Sequence, residues 1–302
     1  MADPLPETSL ALHRQPSRRR AYAALGIGVI GIGWSAIFVR WTGIPGSSSA
    51  FYRMALAQLV FLPWSLASGT RIGTLKPRAI GAAVLAGVFF AADLAFFNTA
   101  VMTTTVGNAT LLGVNAPVFV ALGAWLFYGE RPTAAFWSGF VLSVTGVAAI
   151  VGVDVLRHPK LGTGDLLAIA GAVCYAGYLL YVQRSRIGMD ALTFSALSGV
   201  VAALTLLGIC LAIGAPLTGF GRGTWSALIG LALITQVTGH LGVAYSLGRL
   251  PVSATSVVLL AQAPLTVLLA VPLLHEGITA LQLMGGALVL VGIYVVNRRG
   301  RG

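Results

Sequence analysis

The chain has 302 residues, of which 57% are hydrophobic and only 9% are charged, and its mean hydropathy is +0.89. Soluble globular domains carry about 25% charged residues, so this composition excludes a water-soluble protein and predicts an integral membrane protein. The formal charge is +11, but the basic residues are scattered between apolar runs. They form no continuous basic groove, and we therefore expect no nucleic-acid partner.

Apolar runs separated by Pro, Gly or charged residues predict ten transmembrane helices, because a membrane-spanning helix needs roughly 20 mostly apolar residues. In chain order the helices are predicted over residues 21–40, 48–68, 79–101, 106–128, 134–152, 164–183, 191–213, 224–247, 252–274 and 279–297. The second helix contains Arg53 and the third contains Asp93. Because charges inside a membrane are costly, each of these two is either a full span or a re-entrant segment.

The segments outside the predicted helices are short. They comprise a basic N-terminal tail (residues 1–20), a connecting loop (153–163) and a basic C-terminal tail (298–302). Of the 19 Lys and Arg, Arg53 lies within a predicted helix, four lie on one side of the membrane and the other fourteen on the opposite side. The four are Arg40, Arg157, Lys160 and Arg222. Positive residues concentrate on the cytoplasmic side, so both termini are predicted to be cytoplasmic.

The two halves of the chain resemble each other. At an offset of 146 residues, Glu130 to Ala134 matches Glu276 to Ala280, and the same offset carries Gly139 onto Gly285 and Gly146 onto Gly292. Five helices per half is an odd number, so the second half must cross the membrane in the opposite sense. We therefore predict an all-α membrane protein with an inverted 5+5 repeat (residues 21–152 and 164–297) around a central cavity, the architecture of alternating-access carriers. The alternative is a chance match between similar helices.

Motifs along the whole chain indicate a family. They are Gly33-Trp34-Ser35, Phe51-Tyr52-Arg53, Ala109 through Pro117 to Gly129-Glu130, Gly164-Asp165-Leu166-Leu167, and Ala254 through Pro264 to Glu276. In their order and spacing the chain resembles the drug/metabolite transporter superfamily in its ten-helix EamA-type form, which includes amino acid exporters. The resemblance implies a small-molecule exporter of the bacterial inner membrane that works by rocking of its two halves. Similar proteins export amino acids, metabolites or cationic drugs, so the substrate stays open.

Three polar residues within predicted helices are candidate functional groups. Arg53 either attracts a substrate carboxylate or acts in gating, or it forms a structural ion pair. Asp93, among phenylalanines, either accepts a proton or binds an ammonium group, or it makes a static hydrogen bond. His240 lies 147 residues after Asp93, close to the repeat offset, and either faces the same cavity or is a packing histidine.

Pro117 and Pro264 are related by the same offset of 147 residues. Proline removes a helical hydrogen bond and bends a helix, so the two are either paired hinges or static kinks. Asn115 and Gln262, two residues before each proline, are candidates to hydrogen-bond the freed groups or the ligand.

Aromatic residues within the first, third, sixth and eighth helices are candidates to line the cavity, because these helices surround it in the family that the chain resembles. They are Trp34, Phe97, Tyr175, Tyr178 and Tyr245. Such rings stack on apolar or aromatic substrates. The alternative is that they face lipid or the membrane interface.

Residues Gly26 to Gly31 fit the GxGxxG pattern that is typical of nucleotide-binding turns. They lie within an apolar run with no preceding strand, so a nucleotide-binding turn is excluded and close helix packing is expected. No ATP-binding or metal motif is present, and we expect no cofactor.

The resulting prediction is a secondary transporter that exports amino acids, including aromatic or neutral ones, or related metabolites. Its transport is driven by the solute gradient or a coupled ion such as a proton. The alternatives are a multidrug or cationic metabolite exporter, a membrane-embedded enzyme and a channel. Its expected partners are the small-molecule substrate and membrane lipid.

Overall fold

A computed structural model describes residues 18–69, 75–103, 112–113, 115–151, 162–274 and 279–299. Within these residues every regular element is helical, which confirms the all-α prediction. Residues 1–17, nearly all of the connecting loop 153–163 and residues 300–302 lie outside the described residues, as do Glu276 and the matched residue Ala109.

The described helices follow the predicted apolar runs. They are α1 (Arg18–Gly33), α2 (Ser35–Thr42), α3 (Gly46–Ala67), α4 (Pro77–Thr103), α5 (Ala116–Tyr128), α6 (Ala134–Val151), α7 (Thr163–Ser185), α8 (Ala191–Ala212), α9 (Arg222–Gly230), α10 (Leu241–Leu247), α11 (Val252–Val258), α12 (Gln262–Leu274) and α13 (Ala280–Arg299). A π segment (Leu231–His240) joins α9 to α10, and a 3₁₀ turn (Leu259–Ala261) joins α11 to α12.

Five stretches are long and apolar enough to cross a membrane. They are Arg18–Thr42, Pro77–Ala100, Thr163–Ser185, Ala191–Ala212 and Arg222–Leu247, with shorter apolar helices at Ala116–Tyr128, Ala134–Ile150, Val252–Thr266 and Ala280–Val296. Large apolar side chains such as Leu59, Leu126 and Met284 are exposed on the outside of the molecule. That surface suits lipid rather than water.

The helices that carry Arg53 and Asp93 are continuous. Helix α3 has 22 residues and α4 has 27. At 1.5 Å per residue, each is at least as long as the roughly 30 Å hydrocarbon core of a bilayer. Helix α4 contains one of the five stretches above and fits a full span, whereas α3 has the length of a span but is not one of the five.

Helices α6 and α13 pack antiparallel with their backbones in close contact. A Cβ atom added to Gly139 would lie 2.5 Å from the carbonyl oxygen of Gly292, and one added to Gly146 would lie 2.4 Å from that of Gly285. The Oγ of Ser143 donates to the carbonyl of Val289 between these two contacts (3.4 Å). We call this region the glycine crossing; only glycine allows so close an approach.

A second close contact joins α1 to the π segment and α10. Gly28 and Gly31 lie against Gly239, and Gly242 lies against the carbonyl of Ala24. Two of the three glycines of the GxGxxG pattern, Gly28 and Gly31, thus serve helix packing, as expected. Gly26 is different, because no atom lies within 4 Å of the position its Cβ would take.

Four buried apolar clusters hold the described helices together, and two of them are large. The larger joins α1, α4, α7, α8 and α10 through residues such as Leu25, Phe90, Leu179, Phe194 and Val243. The smaller joins α5, α6, α11 and α13 around the glycine crossing. The helices that carry the candidate polar residues belong to or border the larger cluster.

Candidate functional site

The guanidinium of Arg53 is the centre of a buried polar cluster. Its Nε donates to Oε1 of Gln236 (3.0 Å), its Nη1 donates to Oγ of Ser35 (3.3 Å), and its Nη2 lies 3.1 Å from Nδ1 of His240. Arg53 is only 5% exposed. We call Ser35, Arg53, Gln236 and His240 the arginine cluster; it ties α2 and α3, from the first half of the chain, to the π segment of the second half.

His240 has two candidate partners for one ring nitrogen. Its Nδ1 lies 3.1 Å from the carbonyl oxygen of Thr235 and 3.1 Å from Nη2 of Arg53. Accepting from Arg53 requires Nδ1 without a proton, whereas donating to Thr235 requires the proton there. The two hydrogen bonds are therefore mutually exclusive, and a change of tautomer exchanges one for the other.

The backbone around His240 is unusual. The ten residues from Leu231 to His240 form a π-helix, a wide turn that is rare and found frequently at functional sites. Gln236 and His240 both lie in this segment, and both are buried. The π segment thus brings two polar side chains to Arg53.

Aromatic rings cover one side of the arginine cluster. The guanidinium carbon of Arg53 lies 5.6 Å from the ring centre of Phe90 on α4, within the range of a cation–π contact. Phe90 also stacks on Tyr178 of α7 at 4.4 Å, and Tyr178 stacks on Tyr175 at 5.8 Å. His240 lies 6.2 Å from Tyr178, so the predicted site residues Arg53, His240, Tyr175 and Tyr178 come together.

Asp93 lies beside this group on α4. It is three residues after Phe90 and therefore on the same face of the helix. Its Oδ1 lies 3.5 Å from the position that a Cβ on Gly171 of α7 would take, and Phe97 borders the same glycine. Asp93 is close enough to Arg53, Tyr175 and Tyr178 to interact with them electrostatically. Its side chain is partly exposed.

The other predicted residues occupy breaks in the helices. Trp34 separates α1 from α2 and stacks on Phe38 at 5.6 Å, which places it next to Ser35 of the arginine cluster. Asn115 precedes α5, where its Nδ2 donates to the carbonyl of Leu112 (3.3 Å). Gln262 is the first residue of α12, directly after the 3₁₀ turn.

The two prolines differ from each other in their helical position. Pro117 lies in the first turn of α5, where the missing N–H has no helical partner to lose, so it starts a helix rather than bending one. Pro264 is the third residue of α12, after the 3₁₀ turn. Pro264 thus lies next to a break in regular α-helical geometry, within the apolar stretch Val252–Thr266.

Tyr245 has a different neighbour from the other aromatic candidates. The guanidinium carbon of Arg249 lies 3.9 Å above its ring. Arg249 also donates to the carbonyl of Tyr245 (3.0 Å). This pair lies at the end of α10, five residues or more beyond the arginine cluster along the chain.

Further contacts near this end lie within the second half of the chain, and one joins it to the first half. Arg186, which follows α7, donates its Nε to the carbonyl of Ala244 (3.0 Å) and its Nη1 to the carbonyl of Met189. Burial, with a smaller effect of Arg249, lowers the pKa of Arg186 to about 10, so it stays charged at neutral pH. The Oγ of Ser253 donates to Oε2 of Glu130 (3.2 Å).

Different contacts hold the helices together at the opposite end of α8. Tyr52 donates to the carbonyl of Leu217, and Ser48 donates to that of Pro216 (2.7 Å). The ring of Tyr52 also packs edge-on against Phe220 and Trp225. Helix α3 is therefore fixed to the segment between α8 and α9 within two turns of Arg53.

The sequence interpretation missed Ser35 and Gln236. Gln236 lies four residues before His240, and a polar pair at that spacing in an apolar helix was a signal that both side chains share one face. Ser35 belongs to the Gly33-Trp34-Ser35 motif, but that motif indicated the family and not a role for the hydroxyl. Among the described residues, no group of three His, Cys, Asp or Glu is arranged to hold a metal ion.

Comparison with known proteins identifies the family. A sequence model of the EamA-like transporter family matches residues 19–152 and again residues 162–298. The chain is 26% identical to a probable terminal-alkyne amino-acid exporter of Streptantibioticus cattleyicolor, over 88% of this chain and 90% of the relative. It is 28% identical to the threonine/homoserine exporter of Escherichia coli strain K12, over 82% and 80%.

Further matches agree with this assignment. An uncharacterized transporter of Bacillus subtilis strain 168 is 25% identical over 83% of this chain and 84% of the relative. A solved crystal structure superposes with a TM-score of 0.79 at 19% identity, over 95% of this chain and all of the other, which shows the fold. The chain therefore belongs to the EamA-like transporter family of the drug/metabolite transporter superfamily and is a multi-pass membrane transporter, not an enzyme.

Proposed function

We propose that this protein exports neutral amino acids, aromatic ones included, from the bacterial cytoplasm by alternating access. The observation that carries the proposal is the arginine cluster with its aromatic neighbours. It is a polar site within otherwise apolar helices, and its hydrogen bonds join the two halves of the chain. The amino-acid exporters among the relatives support the substrate class.

An inverted repeat of five and five helices is part of the proposal. The glycine crossing supports it, because its contacts are reciprocal: at an offset of 146 residues Gly139 matches Gly285 and Gly146 matches Gly292, while Gly139 touches Gly292 and Gly146 touches Gly285. Ser143 and Val289, which meet between them, are related by the same offset. Contacts of this kind are expected at a two-fold axis relating two antiparallel helices.

The two separate matches to one family model also support the repeat. They cover residues 19–152 and 162–298, close to the predicted halves 21–152 and 164–297. Rocking of such halves exposes a site between them to one side of the membrane at a time. We propose that the arginine cluster, Asp93 and the rings of Phe97, Tyr175 and Tyr178 border that site, with Trp34, Asn115 and Gln262 on the helix breaks that lead to it.

The surroundings of the site favour the binding of a small amphipathic solute. Stacked rings offer an apolar surface for a side chain, Asp93 offers a carboxylate, and Arg53 offers a positive charge once the arginine cluster opens. Such a combination suits a zwitterion with an apolar side chain. Pro117, Pro264 and Arg53 are proposed as hinge and gating residues, because each lies at an irregular backbone stretch or bonds to one.

Orientation and driving force complete the proposal. The excess of Lys and Arg on one side supports cytoplasmic termini in the inner membrane. Transport is driven by the solute gradient or by a coupled proton.

Counterflow in proteoliposomes tests this function. Vesicles with the purified protein are preloaded with unlabelled phenylalanine or threonine and given a trace of the same amino acid labelled outside. We expect transient, saturable accumulation of label in these vesicles and none in protein-free vesicles. Transport of a drug cation such as ethidium without transport of any amino acid contradicts the proposal in favour of a multidrug exporter, and flux without saturation or counterflow indicates a channel.

A further inference from the structure

Arg53 and Asp93 are the charged pair at the proposed site, yet their surroundings differ sharply. Arg53 is 5% exposed and is bonded on three sides, to Gln236, Ser35 and His240. These contacts use three of the five N–H donors of the guanidinium. Because the side chain is buried, a substrate carboxylate can reach the other two only if the arginine cluster opens. Its position suits a structural and gating role better than first contact with the substrate.

Asp93 has the opposite character. Its side chain is partly exposed in the middle of a 27-residue apolar helix. Among the residues that the structure describes, none donates a hydrogen bond to its carboxylate, although Arg53 is near enough for electrostatic attraction. An ionised carboxylate accepts about four hydrogen bonds, and leaving it without donors inside a membrane is costly. A ligand that supplies donors relieves this cost.

The neighbours of Asp93 suit a primary ammonium group. Gly171 faces the carboxylate with no side chain, at 3.5 Å from where its Cβ would be. Phe97 borders the same glycine, and Tyr175 lies one helical turn further along α7. A small, compact cation with three N–H donors fits beside a carboxylate and near aromatic faces.

We infer that Asp93 anchors the substrate through its amino group, and that the substrate's carboxylate contributes less to recognition than its amino group does. This inference rests on the proposed function, since it names the group by which the proposed amino acid substrate is recognised. It implies that the transporter accepts amino-acid amides and rejects N-acylated amino acids.

Competition in the counterflow assay tests the inference. Phenylalaninamide keeps the amino group and lacks the carboxylate, whereas N-acetylphenylalanine keeps the carboxylate and lacks the ammonium. We expect phenylalaninamide to inhibit labelled phenylalanine transport at a concentration within about tenfold of that needed with unlabelled phenylalanine. N-acetylphenylalanine should need a concentration at least about a hundredfold higher than unlabelled phenylalanine does. It lacks the ammonium group and therefore cannot form the strong charge-assisted hydrogen bond to Asp93. Equal inhibition by the two compounds, stronger inhibition by the N-acetyl compound, or no inhibition by the amide overturns the inference.

Variants test whether the preference for the amide depends on Asp93. In Asp93→Asn the preference for the amide over the N-acetyl compound should shrink by about tenfold or more, whereas Glu130→Gln, which alters a carboxylate at the end of α5, should keep the wild-type preference. An unchanged preference in Asp93→Asn overturns the assignment to Asp93. If Asp93→Asn does not fold, the comparison of compounds on the wild-type protein still decides.

A binding measurement separates this inference from the proposed function. Purified protein in detergent is heated with phenylalaninamide or N-acetylphenylalanine, and its thermal unfolding is followed. Stabilisation by the amide alone supports the amine site even if no amino acid is transported. Stabilisation by the N-acetyl compound alone, or by neither compound, overturns it even if amino acids are transported.

Discussion

The arginine cluster and the glycine crossing both join the two halves of the chain, but by opposite means. In the arginine cluster, long side chains reach across between backbones and form hydrogen bonds at 3.0 to 3.3 Å. In the glycine crossing, the backbones themselves touch, and no side chain fits between Gly146 and Gly285. Long side chains can exchange partners while backbones in contact cannot move apart at small cost, so we regard the crossing as the fixed contact and the cluster as the one that changes.

The largest expected effect comes from filling the glycine crossing. In Gly146→Leu the new Cβ would lie 2.4 Å from the carbonyl oxygen of Gly285, and that backbone has no free space to move into. Overpacking costs about 1–3 kcal/mol even where side chains can adjust, and here they cannot. We therefore expect a destabilisation of about 3 kcal/mol or more, seen as loss of monodisperse protein and a lower unfolding temperature.

The matched control is Gly26→Leu. Gly26 lies in α1, also in an apolar helix, but nothing lies within 4 Å of its Cβ position. Its unfolding temperature should stay close to that of the wild type. A Gly146→Leu protein as stable as Gly26→Leu would mean that the crossing is not a fixed contact.

The second prediction concerns the arginine cluster. Arg53→Lys keeps the positive charge but replaces the planar fork with one ammonium, which cannot reach Gln236, Ser35 and His240 together. We expect transport to fall at least about tenfold, because each hydrogen bond to a charged group contributes about 1.5–3 kcal/mol. The fall in stability should be smaller than that of Gly146→Leu.

Counterflow rates and unfolding temperatures of the same preparations check this difference. Arg222→Lys, at the exposed start of α9, is the control and should transport normally. Full transport by Arg53→Lys would show that the cluster has no part in the transport cycle.

The fold was more predictable from sequence than the site, and the reason is physical. The apolar runs fix where helices lie, because lipid leaves the backbone no other way to satisfy its hydrogen bonds. They do not fix which face of a helix points inward, since every face is apolar. Arg53, Asp93 and His240 stood out because charge is rare in such helices, whereas Ser35 and Gln236 did not.

Backbone irregularities were the least predictable feature. The π segment contains no proline, Asp, Glu, Lys or Arg that would predict it from sequence. It packs against Gly28 and Gly31 of α1, which are distant in the chain. Pro117 lies at the start of a helix rather than within one, whereas Pro264 follows a 3₁₀ turn in an otherwise helical stretch. Tyr245 was grouped with the cavity aromatics by its place in the helix, while its partner Arg249 lies just beyond the end of that helix.

The third prediction concerns the N-terminal cap of α8, which lies outside both regions and should contribute less to stability. Asp190 caps α8 by accepting from the N–H groups of Leu192 and Thr193 (2.9 and 3.0 Å) and from the hydroxyl of Thr193 (2.5 Å). Burial of Asp190 opposes its ionisation, but these hydrogen bonds outweigh it and lower the pKa of the carboxyl. Asp190→Ala should destabilise the protein by about 1 kcal/mol, the usual worth of such a cap.

The pH dependence of that effect has a definite sign. Because the folded-state pKa is lowered, the carboxylate stabilises the protein above the unfolded-state value of about 3.9 and loses this contribution as pH falls through the folded-state value. The difference in unfolding free energy between wild type and Asp190→Ala should be the same at neutral and mildly acidic pH and shrink below about pH 4. A difference that grows on acidification would contradict the cap.

The smallest effect is expected at the middle of the glycine crossing. Ser143 donates to the carbonyl of Val289 at 3.4 Å, a long hydrogen bond, and that carbonyl belongs to a helix that already uses it. Ser143→Ala keeps the Cβ and removes only the hydroxyl, so we expect a change of less than about 0.5–1 kcal/mol in unfolding free energy and no change in transport. If Ser143→Ala instead destabilises the protein as much as Gly146→Leu, the crossing is held by a polar contact like the arginine cluster, and the contrast between the two regions fails.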